Sequence, residues 1–91
     1  MKASEIGLPA ELDGLGLVWH LSTENIAVGE WVEDGSTFVE YPILLGSFEP
    51  LPVSFHDTVL AFDQLGRINE IAVFIRTVLD HWRMSNEREL S

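Results

Sequence analysis

Residues 58–82 read TVLAFDQLGRINEIAVFIRTVLDHW, and this stretch constrains the fold more than any other because it admits two readings that exclude each other. As a helix it gathers Ile68, Ile71, Ala72, Ile75, Val78, Leu79 and Trp82 on one face at i, i+3, i+4 spacing. That reading leaves Val73 and Phe74 on the polar side, beside Asn69, Glu70 and Thr77. It also commits Ile68, Ile71, Val73, Ile75, Thr77 and Val78, all β-branched, to a helix. As a β-hairpin, Thr58, Leu60 and Phe62 alternate with Val59, Ala61 and Asp63, and DQLG at 63–66 supplies the turn, with Gly66 in the left-handed position. The hairpin accounts for more of the residues. It predicts a second strand ending near Arg76 and a short helix, TVLDHWRM, at 77–84.

Upstream the pattern is of strands and turns. Pro9 suits the first turn of a short helix through Glu11 and Leu12, and Gly14 can end it. LGLVWHLS at 15–22 has the length and apolarity of a strand. IAVGEWVE at 26–33 alternates Val28, Glu30 and Val32 against Ala27, Gly29 and Trp31. Asp34-Gly35 is the strongest hairpin signal in the chain, and TFVEYPILL at 37–45 is the returning strand. Pro42 has no amide proton to give a ladder, so the strand is an edge there or carries a bulge. The sum is an α+β chain of 91 residues, a single domain, with an antiparallel sheet over residues 15–76 between a short N-terminal and a short C-terminal helix.

The absence of cysteine removes disulfides, thiolate chemistry and Cys-based zinc sites, and it suits a reducing compartment. His20, His56 and His81 have no short metal-ligand spacing, so neither a metal nor a cofactor is expected. The N-terminus lacks the apolar run of a secretory signal, and no apolar run approaches the ~20 residues of a membrane span, which makes the expected location cytoplasmic. Fifteen acidic against five basic residues give a formal charge of −10, which repels nucleic acid and anionic membranes and suits a basic partner protein or, since the acids form no block of five or six, serves solubility alone.

In the hairpin reading, PVSFHDTVLAFDQLGRINEIAVFI at 52–75 resembles the closing strands of the SnoaL-like and ketosteroid-isomerase-like proteins of the nuclear transport factor 2-like superfamily, with their Phe-Asp, turn, Gly-Arg-Ile and long strand. ENIAVGEWVEDGSTFVEYP at 24–42 is similar to the preceding hairpin of that superfamily, and the resemblance runs over residues 25–79. It implies a curved, cone-like sheet around an apolar pocket, in an N-terminally shortened form, since 24 residues precede Asn25 where the family places two or three helices. A face left uncovered at about 25 cal/mol per Å² then calls for a homodimer. Thr58 falls where ketosteroid isomerases carry an acid, Ile71 where many SnoaL-like cyclases carry a histidine, and Arg76 near a strand-ending aspartate. The acid–base machinery of the family is not intact, and no reaction is assigned.

The expected ligand site is therefore the concave face. His56 and Thr58 share a strand parity, Leu60, Phe62, Ile71 and Val73 line the face, Trp31 forms an aromatic wall with Trp19 and Phe38, and His20 lies nearby. The bland alternatives are a structural histidine at His56, an outer-strand position for His20 and core packing for the aromatics. The expected function is a small-molecule-binding module for an apolar ligand, working as an oligomer. The alternative is an acidic interaction protein, an immunity protein or anti-defence inhibitor, that covers a basic surface of its partner. A continuous helix from Ile68 to Trp82 removes both the hairpin and the basis of the resemblance.

Overall fold

The computed structural model describes residues 1–56 and 62–90, with the backbone alone at 86–90. Two 3-10 helices, Ala3–Ile6 and Ala10–Leu15, lead into strands β1 (Val18–Leu21), β2 (Ile26–Glu33), β3 (Ser36–Leu44), β4 (Glu49–Pro50) and β5 (Ser54–Phe55). Helix α1, Phe62–Leu90, follows. The sheet is antiparallel in the order β1-β2-β3-β4, and β5 pairs with β3 farther along the same edge as β4. The architecture is α+β, as the sequence indicates, but the second half of the expected sheet is a helix.

Residues 62–90 are one α-helix of 29 residues, in place of the turn expected at Asp63 to Gly66, the strand expected to end near Arg76 and the short helix expected at 77–84, while residues 58–61 of the expected first strand lie outside the described residues. Magnitudes explain the outcome. Each β-branched residue costs a helix a few tenths of a kcal/mol, and Gly66 costs about 1 kcal/mol. Ile68, Ile71, Ile75, Val78 and Leu79 are all buried by the helix, at about 1.5–3 kcal/mol each. Packing exceeds propensity severalfold. The objection that a helix exposes Val73 and Phe74 is correct as geometry, since they are 64% and 41% exposed. It carries no veto, because a few exposed apolar side chains are ordinary on protein surfaces. The Gly66-Arg67-Ile68 sequence that carried the family resemblance lies in this helix.

The Asp34-Gly35 turn forms as expected, with φ of 51° and 77°, the two positive values of a tight hairpin turn. Its register alone would misalign the strands. Next to the turn Glu33 pairs with Ser36 and Val32 with Thr37, but Trp31 pairs with Val39, so Phe38 is an extra residue in β3. This β-bulge shifts the parity by one, setting Ala27 opposite Ile43, Gly29 opposite Tyr41 and Trp31 opposite Val39 on one face. It also turns Phe38 toward Trp31, their rings tilted with centroids 5.7 Å apart.

That face is the core. Trp19, Ala27, Val39, Tyr41 and Ile43 from the sheet pack with the buried face of α1 and with Ala3, Leu8 and Leu12 from the N-terminal turns. Trp19 lies directly on Gly29, where a β-carbon would meet the indole ring at 2.8 Å. The Tyr41 hydroxyl donates to the Ile68 carbonyl oxygen at 3.0 Å and ties β3 to the helix. Pro42 sits inside β3 because its missing N–H falls on the edge where the chain leaves β4 before forming β5. There only its carbonyl is used, accepting from Leu51 N at 2.9 Å.

Candidate functional site

Among the described residues, no helix crosses the opposite face of the sheet. Alternation sends Val18 and His20 of β1, Ile26, Val28, Glu30 and Val32 of β2, Thr37, Glu40, Pro42 and Leu44 of β3, and Ser54 of β5 to this outer side. Of these Val28 alone is fully buried, between its cross-strand neighbours His20 and Pro42, and it stays outside the core cluster. Val18 and Val32 remain 48% and 40% exposed.

Val18, Glu30, Glu40 and Ser54 form one row across four strands. Glu30 and Glu40 therefore stand directly opposite each other on adjacent strands. The Pro42 carbonyl points toward β4 and β5, so Glu40, two residues away, directs its own backbone groups to the same edge. The Glu30–Glu40 pair is then of the non-hydrogen-bonded kind, in which side chains come closest. Like charges in this position cost a few tenths of a kcal/mol up to about 1 kcal/mol. Three neighbours moderate the repulsion. Thr37 Oγ1 donates to Glu30 Oε2 at 3.1 Å, and His20 Nδ1 lies 3.4 Å from Glu30 Oε1. His56 Nε2 is in contact with Glu40 Oε1. Each carboxylate thus has one imidazole beside it, His20 from the diagonal position on β1 and His56 from just past the end of β5, and each remains partly exposed.

This arrangement offers cationic groups two carboxylates along one row, with apolar side chains around them to bury area. Among the described residues no group of three or more His, Cys, Asp or Glu could hold a metal ion. Among the described residues, too, no helix is long and apolar enough to cross a membrane.

The candidate pocket residues are not brought together. His20 and His56 are both on the outer face, at the two ends of the Glu30–Glu40 row. Trp31 is half-buried at the rim of the core with Phe38, on the other side of the sheet. Ile71 is 3% exposed and faces the sheet from α1, whereas Val73 points away from it. Phe62 opens the helix and is 95% exposed. Thr58 and Leu60 lie outside the described residues. A concave wall of Leu60, Phe62, Ile71 and Val73 required strand parity, and the helix replaces it with a 100° step per residue.

Glu30, Glu40 and Thr37 were not singled out from the sequence. Glu30 was legible as an outward position of an alternating strand. Its pairing with Glu40 was not, because counting outward from Asp34-Gly35 without the bulge sets Glu30 opposite Val39. Searches with the sequence and the fold return no matching family model, curated protein or solved structure.

Proposed function

We propose that the chain is an acidic interaction module whose outer sheet face receives a basic surface of a partner protein. One observation carries the reading: two opposed carboxylates stand among exposed apolar side chains on a sheet face that has no lysine or arginine. Residues 3–66 contain no Lys or Arg at all. Residues 1–61 hold Lys2 against ten acidic residues, a charge of −9, and residues 62–91 hold four arginines against five acidic residues, a charge of −1, which together make −10. The negative field is therefore concentrated on the sheet and N-terminal half. A face of this kind steers a basic partner and accelerates its association.

The same charge disfavours self-association through this face, since a second copy brings −10 against −10. A homodimer is expected where the core face is left open, and α1 covers that face within the chain. A cone closing over an apolar ligand draws on side chains such as Ile71 that are committed to helix–sheet packing. The interaction reading uses surface that the fold leaves open.

A short arginine-rich peptide is a suitable first probe, followed by amide chemical shifts of the labelled protein. Shifts should concentrate on β1, β2 and β3 and weaken with added salt. The double substitution Glu30→Gln with Glu40→Gln should lower affinity by about tenfold. Shifts of equal size along α1, or an affinity indifferent to the double substitution, would sink the proposal.

A further inference from the structure

On the helix side of the sheet the two 3-10 helices, the turn at residues 45–48 and the C-terminal part of α1 converge on an open cleft of about 300 Å³. Its walls are mainly apolar and aromatic: Leu8, Pro9 and Ala10 with Ser4 and Gly7 from the N-terminal turns, Phe48 and Trp82 from the other elements, and the Glu11 side chain among them. The Trp82 indole N–H donates to Glu11 Oε2 at 2.7 Å, which fixes the carboxylate at the cleft and leaves its second oxygen available. Trp82 keeps 39% of its surface exposed although it ends the apolar stripe of α1. Phe48 is held at φ 52°, a left-handed backbone that costs a non-glycine residue about 1 kcal/mol.

The chemistry of the lining selects the ligand. An anion is repelled by Glu11, and among the residues lining the cleft there is no basic side chain to receive one. A neutral apolar molecule would strip water from the carboxylate without replacing its hydrogen bonds. A small hydrated cation gains little from apolar walls. An alkylated ammonium satisfies all three constraints, because its charge is spread over methyl groups that pack on aromatic rings while a carboxylate balances it. We propose that this cleft binds a small organic cation of the quaternary ammonium or methylated amine class, with Trp82 and Phe48 as its aromatic contacts and Glu11 as its counter-charge. The site is separate from the outer sheet face and stands without it.

The three tryptophan indole N–H resonances of the full ¹⁵N-labelled chain provide the readout, with choline as the probe and 3,3-dimethylbutan-1-ol, its uncharged isostere, as the control. Choline should shift the Trp82 resonance saturably and leave those of Trp19 and Trp31 in place. The isostere should bind about fivefold more weakly or worse. Glu11→Gln retains an acceptor for the Trp82 N–H but removes the charge, and it should weaken choline by a similar factor. Equal binding of choline and isostere to the unsubstituted protein overturns the proposal, as does a Trp82 resonance that does not move with choline. Because the isostere comparison needs no variant, the test holds even if Glu11→Gln disturbs the fold. Phe48→Leu, at unchanged backbone requirement, should weaken choline but not the isostere.

Discussion

The two faces of the sheet come from the same strands and differ in what they are asked to do. The core face pairs Ala27 with Ile43, Gly29 with Tyr41 and Trp31 with Val39, and it buries most of these against α1 and the N-terminal turns. The outer face sets Glu30 against Glu40 and leaves Val18 and Val32 in solvent. Side chains on the first face are chosen for volume and for the absence of unpaired polar groups, with Trp19 Nε1 as the exception, buried without a hydrogen-bond partner. Those on the second include a repulsion that a sheet selected for stability alone would shed. The contrast teaches that local stability is concentrated on one side of the sheet and that the other is free to carry recognition.

The largest expected effect tests the contrast with two adjacent residues of β3. Ile43 is fully buried on the core face and Leu44 is half-buried on the outer face. Ile43→Ala should cost about 2–5 kcal/mol in denaturant unfolding, and Leu44→Ala about 1 kcal/mol. Equal costs would mean that the outer face is packed as tightly as the core.

The next effect concerns the tie between sheet and helix. Removing the Tyr41 hydroxyl by Tyr41→Phe should cost about 0.5–1.5 kcal/mol. Burial also pushes the Tyr41 phenol up from its ordinary 10.0 to about 12, against a smaller opposing influence of Arg67. The neutral phenol is the form favoured in the folded state. Its contribution is complete below pH 10 and is lost as pH rises toward 12, because the unfolded chain ionises first. Tyr41 is the only tyrosine, so the alkaline absorbance change of tyrosinate reads this group alone. A titration midpoint at 10 would show a phenol open to water and no buried tie.

On the outer face the sign should reverse. Glu30→Gln retains an acceptor for Thr37 while removing one of the two opposed charges, so stability should hold or rise by about 0.5 kcal/mol, more at low salt than at high salt. A loss of 2 kcal/mol or more, on the scale of a core substitution, would place Glu30 among the structural residues.

The smallest effect lies at the N-terminal turn that edges the core. The Asp13 carboxylate accepts from Ser4 Oγ at 2.7 Å and from Ser4 N at 3.0 Å. These two bonds, the hydroxyl first, hold its pKa below the ordinary 3.8. A lowered carboxyl stabilises the fold above that ordinary value, and the contribution is lost as pH falls through the lower folded value. Asp13→Asn should therefore flatten the acid limb of the stability profile and leave the neutral region nearly unchanged.

Some of this was legible in the sequence. The Asp34-Gly35 turn and the strands on either side of it follow from residues adjacent in the chain. So does the short helix that follows Pro9, although it runs past the expected stop at Gly14 to Leu15, where Gly16 ends it at φ 75°. His20 and His56, expected in a concave apolar pocket, sit instead on the outer face beside Glu30 and Glu40. Their carboxylate partners were not read, because a single unpaired residue at Phe38 decides which β3 residue faces Glu30.

By itself the sequence determined what depends on nearest neighbours and on composition: the hairpin at 34–35, the alternation of β2, the absence of thiol chemistry and the net charge of −10. Tertiary structure decided the state of residues 62–82. Their local preferences pull both ways, β-branching toward a strand and periodicity toward a helix, and differ by less than burying five side chains against Trp19, Val39, Tyr41 and Ile43 contributes. Tertiary structure also decided the register of β3. The Phe38 bulge costs one strand pairing, yet it brings both apolar sets to the same face, and that gain exists only once a helix is there to cover them.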